Sequence, residues 1–376
     1  RRNTVLRLMR DQNYITHNEH AQYRAMTLES VKELPIRGLA PYFTEYVRRL
    51  LEKEDEALDI NIYRDGLKIY TTIDSRMQTY AENAVQQHMP RLQAEFFNQN
   101  TPRRNPTAPF LELEKDEIDA LMRRGMRQSE RWRHLKYDLK KSDKEIKASF
   151  EKATKMSVFK WIDGKASEVD TIMKPIDSIR YYKSFLRTGM MSMNPQTGHV
   201  KAWVGGINYR HFQYDMVKQG KRQIGSTFKP FVYAAAIDQL HYSPCDEFPD
   251  VPFCIEANKY GNPEEWCPKN SGNNYGGTRT LKNALANSVN TVTAQLIDKV
   301  GPQTVVDLAT KIGVDSEMLP VPSIALGTPD ISVYEMVGAY SSFANRGVYT
   351  KPVMVTGIED KNGTIFDPEH GKKYKC

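Results

Sequence analysis

From about residue 185 the chain runs through strand-forming stretches, then helices, then strand-forming stretches again. That order constrains the fold more than any other feature. Met190–Met193 and residues 199–205 read as the two strands of a hairpin around Asn194-Pro195-Gln196-Thr197-Gly198, a turn composition. After Ser226 comes a helix of small and apolar residues: Phe231, Val232, Ala234, Ala235, Ala236 and Ile237. Thr280 caps a short helix over 281–287. Ser332-x-x-Glu335 is a capping box opening a helix that stops before Asn345-Arg346-Gly347. A last hairpin, 353–358 with 364–366, flanks Asp360-Lys361-Asn362-Gly363. The expected class is therefore α+β, an antiparallel sheet packed with helices.

The first half reads differently. Residues 1 to about 52 carry apolar residues at helical spacing, with one extended break, as in Val5, Leu6, Met9 and Tyr42, Tyr46, Leu50. Residues 66–73 alternate like a strand, and Asp74 caps a helix expected to run to about His88, with Met77, Ala81 and Ala84 on one face. From Pro90 to about Lys155, prolines at 102, 106 and 109 mark a loop. A charged stretch follows, whose Ser142-x-x-Glu145 capping box predicts a helix over 143–154. Charge at this density predicts a solvated helical hairpin, an insertion without chemistry. The domains expected are 1–52, a linker with that insertion over 53–185, and the main domain over 186–376.

Composition narrows the function. With 376 residues, 40 % hydrophobic and 26 % charged, the chain is long enough for two folded domains. The net charge of +7 fits a solvated surface or an anionic partner. Nucleic acid is not expected, because the basic residues are interleaved with acids and lack an aromatic stacking pattern. No run of roughly 18 apolar residues occurs, so no membrane span is expected within these limits. An opening Arg1-Arg2 rather than Met places any anchor upstream. Cys245, Cys254, Cys267 and Cys376 include no Cys-x-x-Cys, which argues against zinc. A Cys254–Cys267 bridge is compatible with export, but the sequence does not pair them.

Chemistry concentrates at Ser226-Thr227-Phe228-Lys229. A serine at a helix N-terminus lies near unpaired N–H groups and the positive end of the dipole. A lysine three residues on shares its face, with Cβ atoms roughly 5–6 Å apart. Set in an apolar helix, the lysine loses hydration, its pKa falls, and it can act as a base toward the hydroxyl. Taken alone, the pair also fits a helix cap followed by a solvated lysine. Downstream lies Ser288-Val289-Asn290, a hydroxyl and a carboxamide that extended backbone would point the same way. One can relay a proton while the other orients a substrate amide. Alone, it also fits a turn.

Together, Ser-x-x-Lys and Ser-x-Asn resemble the penicilloyl-serine transferases. The segment 220–230, Gly-Lys-Arg-Gln-Ile-Gly-Ser-Thr-Phe-Lys-Pro, is similar to the nucleophile segment of class A, bifunctional penicillin-binding proteins. So are Asn194–Gly198 leading to Val204-Gly205-Gly206, Trp266-Cys267-Pro268-Lys269-Asn270, the run 280–288, Ala325-Leu326-Gly327-Thr328 and Phe343-Ala344-Asn345-Arg346-Gly347. Residues 66–74 resemble the joint between that family's two domains, and 1–6 with 40–43 the tail of its glycosyltransferase domain. The resemblance implies a penicillin-binding, β-lactamase-like transpeptidase fold preceded by a helical glycosyltransferase tail and a linker. It implies D,D-transpeptidation of D-Ala-D-Ala stem peptides, inhibition by β-lactams, and no metal or organic cofactor. Ser226 would be the nucleophile, Lys229 the base, Ser288 a proton relay and Asn290 a substrate holder. The backbone N–H of Ser226 would supply one oxyanion donor. The expected setting is the bacterial inner membrane, with the domain facing the periplasm among wall-synthesis partners. Two rivals stand beside it: a simple D,D-carboxypeptidase or β-lactamase, and a non-catalytic β-lactam sensor or scaffold. The family's Lys-Thr/Ser-Gly motif does not appear. Lys361-Asn362-Gly363 reads as a turn and Arg187-Thr188-Gly189 precedes the nucleophile, so the motif is expected beyond Cys376.

Overall fold

A computed structural model describes residues 2–25, 38–58, 60–361, 363–367 and 371–372. The chain divides into two compact units, Arg1–Pro41 and Tyr42–Cys376. The first contains helices α1 (Arg2–Asp11) and α2 (His17–Ala25), which contact each other. The stripe of Val5, Leu8 and Met9 on α1 is exposed.

The second unit opens with α3 (Pro41–Leu58), β1 (Lys68–Thr71) and α4 (Ser75–Gln99). Asp74 caps α4 as the sequence predicts, accepting from the N–H groups of Arg76 and Met77. The helix does not stop near His88. It continues through Pro90, whose neighbours Met89 and Gln93 are buried, so packing overrides the lost backbone bond. Next come α5 (Lys115–Gln128), α6 (Glu130–Arg133) and α7 (Asp143–Glu151), then strands β2 (Thr154–Ile162) and β3 (Lys165–Met173), then α8 (Pro175–Lys183). Both halves of the Ser142/Glu145 capping box form.

The charged stretch is not a solvated hairpin. Its helices are amphipathic, and Ile118, Met122 and Met126 turn inward with Ile146, Phe150 and Trp132 toward Ile176 and Ile179 of α8. Charged residues supply the outer face, so composition alone hides the buried stripe. The β2–β3 hairpin goes beyond the sequence reading, although Asp163-Gly164 between alternating residues is a signal for it.

The remainder holds β4 (Met190–Met193), β5 (Val200–Val204), β6 (Lys221–Gln223), α9 (Lys229–Leu240), β7 (Glu247–Pro249), β8 (Thr278–Thr280), α10 (Leu281–Ala286), α11 (Asn290–Val300) and α12 (Pro302–Lys311). It closes with β9 (Asp330–Ser332), α13 (Val333–Ala344), β10 (Val355–Asp360), β11 (Gly363–Asp367) and β12 (Gly371–Lys372). Among the described residues every named strand pairs antiparallel, and the mixed α+β class stands. The longest sheet runs β1-β10-β11-β12, joining Ile69 to Ile358 across the length of the chain. In β5, Ala202 and Val204 face Ala81 of α4. Trp203 on the other face stacks on Tyr46 of α3, ring centroids 5.0 Å apart, and meets Tyr334 of α13. At Gly205 a Cβ would sit 2.7 Å from the Tyr42 ring, so only glycine lets α3 approach.

The main core centres on α9. Phe228, Phe231, Val232 and Ala236 pack with Leu281, Val292, Leu296, Ile297, Val305 and Ile324. Both α9 and α11 are covered on most sides, so a polar group at either N-terminal end sits at the rim of an apolar core.

Candidate active site

Between β6 and α9 the chain makes one tight turn, Gly225–Phe228. Gly225 sits at φ +58°, and its N–H donates to the Gly327 carbonyl at 2.9 Å. Gly327 is itself at φ +75°, and a Cβ there would fall 1.9 Å from the Gly225 carbonyl oxygen. No side chain fits. On the other flank the Tyr340 hydroxyl of α13 donates to the Thr227 carbonyl at 2.6 Å, and Thr227 Oγ1 donates to Ile224 O at 2.6 Å. The turn is thus clamped through its backbone on two sides, and Ser226 lies exposed on it.

Lys229, one helical turn on, is 1 % exposed. Its Nζ donates to Ser288 O at 2.7 Å, to Ser288 Oγ at 3.0 Å and to Asn290 Oδ1 at 2.6 Å. Among the described residues it has no carboxylate partner, and burial pushes its pKa down from 10.5 to about 8. The three acceptors favour the ammonium, but all are neutral and do not offset the lost hydration.

Ser288 follows α10. Its N–H donates to Leu285 O and the Val289 N–H to Ala284 O, the pair of bonds that closes a Schellman C-cap. Ser288 occupies the left-handed position of that cap at φ +54°, where glycine is usual. A side chain there costs on the order of 1 kcal/mol or more. It aims the hydroxyl at Lys229.

Asn290 opens α11, and its Nδ2 donates to Lys269 O at 2.7 Å. The preceding Val289 has no side-chain acceptor for the helix end. Instead Asn270 Oδ1 accepts the N–H of Asn290 at 2.9 Å and of Thr291 at 3.2 Å. Asn270 in turn donates to Asp250 Oδ1 at 2.7 Å. Asp250, 1 % exposed, also accepts from Thr291 Oγ1 at 2.8 Å and pairs with Arg279 at 3.3 Å. Lys269 and Asn270 follow directly on a loop that is closed by a Cys254–Cys267 disulfide and by reciprocal Ile255/Trp266 backbone bonds. Cys245 is free and exposed, while Cys376 lies outside the described residues.

Of the four residues singled out from sequence, Lys229, Ser288 and Asn290 meet through side chains. Ser226, on the turn just before Lys229, is not among the two residues that accept from its amine. The sequence reading missed the roles of Asp250, Asn270, Gly327 and Tyr340. Asn270 and Gly327 lie in segments that carried the resemblance, whereas nothing local marks Asp250. The arrangement offers an accessible hydroxyl, a buried amine whose pKa is lowered to about 8, and a second hydroxyl to pass the proton on.

Comparison with known proteins follows the same line. Residues 105–186 match the family described as penicillin-binding protein middle domain. Residues 188–375, half of the chain, match the penicillin binding protein transpeptidase domain. A penicillin-binding protein 1A of Aquifex aeolicus is 28 % identical over 98 % of this chain and 48 % of its own length. One from Pseudomonas aeruginosa is 33 % identical over 48 % of this chain and 22 % of its own length. The chain spans about half the length of the curated relatives it matches. The crystal structure of penicillin-binding protein 1A from Haemophilus influenzae aligns with a TM-score of 0.59, covering 99 % of this chain and 58 % of that one, at 22 % identity. PonA1 of Mycobacterium tuberculosis in complex with penicillin V aligns at 0.54, covering 89 % and 67 %, at 21 % identity. At these identities the structural likeness speaks to fold alone.

Proposed function

Since the chain belongs to the penicillin-binding protein transpeptidases, we propose that it cross-links peptidoglycan stem peptides through an acyl-enzyme on Ser226. The carrying observation is the convergence of the buried Lys229 on Ser288 and Asn290, three residues after the exposed Ser226. The neutral Lys229 amine takes the proton of the Ser226 hydroxyl. Ser226 Oγ then bonds to the carbonyl carbon of the penultimate D-alanine. The bond to the terminal D-alanine nitrogen breaks, and the proton reaches that nitrogen through Ser288. An amine of a neighbouring stem peptide next attacks the ester, forming a new peptide bond and returning the proton to Ser226. If water attacks, the outcome is carboxypeptidation.

Asn290 holds the substrate amide while keeping Lys229 in place. A backbone N–H at Ser226 would stabilise the oxyanion, a contribution worth about 3–4 kcal/mol in comparable sites. The residues in this site suit proton and acyl transfer without a metal or organic cofactor. β-Lactams fit the reading as mimics that leave a long-lived acyl-serine.

The proposal extends to the longer protein. Residues 1–52, with their likeness to a glycosyltransferase tail, fit a bifunctional, membrane-anchored synthase whose transpeptidase faces the periplasm and works with other wall-synthesis proteins. Among the described residues no helix is long and apolar enough to cross a membrane. The test uses the full-length protein with a labelled penicillin, read by intact mass. One adduct per chain, lost in Ser226→Ala, is expected. An adduct that survives in the alanine variant would overturn the assignment.

A further inference from the structure

A carboxamide has two ends of nearly equal shape. Asn290 could present either its oxygen or its nitrogen to Lys229, and only the oxygen accepts from the amine. The choice is made by the other end, since Nδ2 donates to the Lys269 carbonyl and Oδ1 is left facing Nζ. The placement of that carbonyl depends on the neighbouring Asn270, whose side chain ties its segment to the end of α11 and to Asp250. Oδ1 accepts from the Asn290 and Thr291 amides. Nδ2 donates to Asp250 Oδ1 at 2.7 Å and to Asn274 O at 3.0 Å.

Two independent features make this tie specific. The residue before α11 is Val289, so the helix end has no cap of its own and takes one from a loop 20 residues away. In addition, Asp250 is almost wholly buried, and a carboxylate accepts only. It therefore fixes Asn270 with nitrogen toward itself and oxygen toward the helix. The order is set from one residue to the next: Asp250 orients Asn270, Asn270 seats the loop, Lys269 orients Asn290, and Asn290 meets Lys229.

We propose that Asn270 is a positioning residue for acylation, setting which end of the Asn290 carboxamide meets Lys229 by capping α11 from the segment that leaves the disulfide-closed loop. It touches neither Lys229 nor Ser226 by hydrogen bond, and it rests on the reading that Lys229 and Asn290 serve the acylation of Ser226. The charged groups of this network are Asp250 and Arg279, while Lys229 itself faces the neutral oxygens of Ser288 and Asn290.

Two variants of the full-length protein separate positioning from folding. Asn270→Ala removes both ends of the tie. Asn270→Asp keeps an acceptor for the helix but places a second carboxylate against Asp250. Acylation by a fluorescent penicillin is followed as a single-exponential rate over pH 6–10, alongside a melting curve. Rates are compared at a temperature where the melting curve shows each variant fully folded, so the folded fraction does not enter. Both variants are expected to slow the plateau rate about tenfold or more, on the scale of one misplaced catalytic contact. The pH limb should also move downward, because an ammonium that loses one acceptor gives up its proton sooner. A merely structural role would lower the adduct yield and leave the limb where it is. Wild-type rate and limb in both variants would overturn the proposal while leaving the acyl-enzyme reading intact. Loss of the melting transition in both would overturn it too, making Asn270 a residue of the fold. If the parent protein itself forms no adduct, the functional reading falls and takes this proposal with it.

Discussion

The Ser226 turn and the Ser288–Asn290 junction sit side by side, each at the N-terminal end of a buried helix, yet they are held by opposite means. The turn is gripped through its backbone: Gly225 by the Gly327 carbonyl and Thr227 by the Tyr340 hydroxyl. The junction is gripped chiefly through side chains, by the Asn270 carboxamide, the Asp250 carboxylate behind it and the Lys229 amine. It also carries strain, at the left-handed Ser288. The first kind of support is sensitive to added volume and the second to lost polar atoms. The two regions should therefore fail differently.

The largest effect expected is at their meeting point. Lys229→Ala should slow penicillin acylation about 100- to 10,000-fold, the range for removal of a general base. A loss under tenfold would place the base elsewhere. Next in size is Ser288→Gly, which splits function from stability. Acylation should fall by about 100-fold as the relay hydroxyl goes. The melting temperature should hold or rise, because relieving the left-handed serine returns on the order of 1 kcal/mol. A clear drop in melting temperature would contradict the strain assigned to this position.

Gly327→Ala probes the backbone-held side. With a Cβ 1.9 Å from the Gly225 carbonyl, the turn must shift, and a cost of about 1–3 kcal/mol is expected together with slower acylation. Wild-type melting would show that the clamp yields freely.

The pH dependence follows from the depressed lysine. Lys229 titrates at about 8 in the fold against an ordinary 10.5. Below pH 8 both folded and unfolded chains carry the proton, and the full penalty of burying the ammonium is present. Between 8 and 10.5 the unfolded chain binds more protons, so stability rises with pH by as much as about 3 kcal/mol. Acylation should rise through the lower end of the same window. Melting curves at pH 7 and 9.5 check this, since Lys229→Met should remove most of the rise and leave the share of Lys218, which burial also depresses. The smallest change is Tyr340→Phe, which removes one bond to the Thr227 carbonyl and should cost about 1 kcal/mol, a few-fold in rate.

Much of this architecture was legible beforehand because it is local. Asp74, Thr280, Ser142 and Ser332 cap their helices as their spacing predicts, and the 190–204 hairpin turns where its Asn-Pro and Gly say it should. The places where the reading failed are places where distant residues decide. Pro90 stays helical because α4 packs on both sides of it, and the charged stretch folds because its few apolar residues find α8.

The sequence by itself determined the helices that carry their own caps, the hairpin over 190–204, and which four side chains are the candidates for chemistry. These depend on contacts within one helical turn or one pleat, and each leaves a period or a spacing in the chain. Only the tertiary structure decided that Lys229 meets Ser288 and Asn290, that Asn270 caps a helix it does not precede, and that β1 pairs with β10. Such contacts bring together segments that the sequence keeps far apart. No local pattern records them, because they form only when a shared core has drawn their elements together.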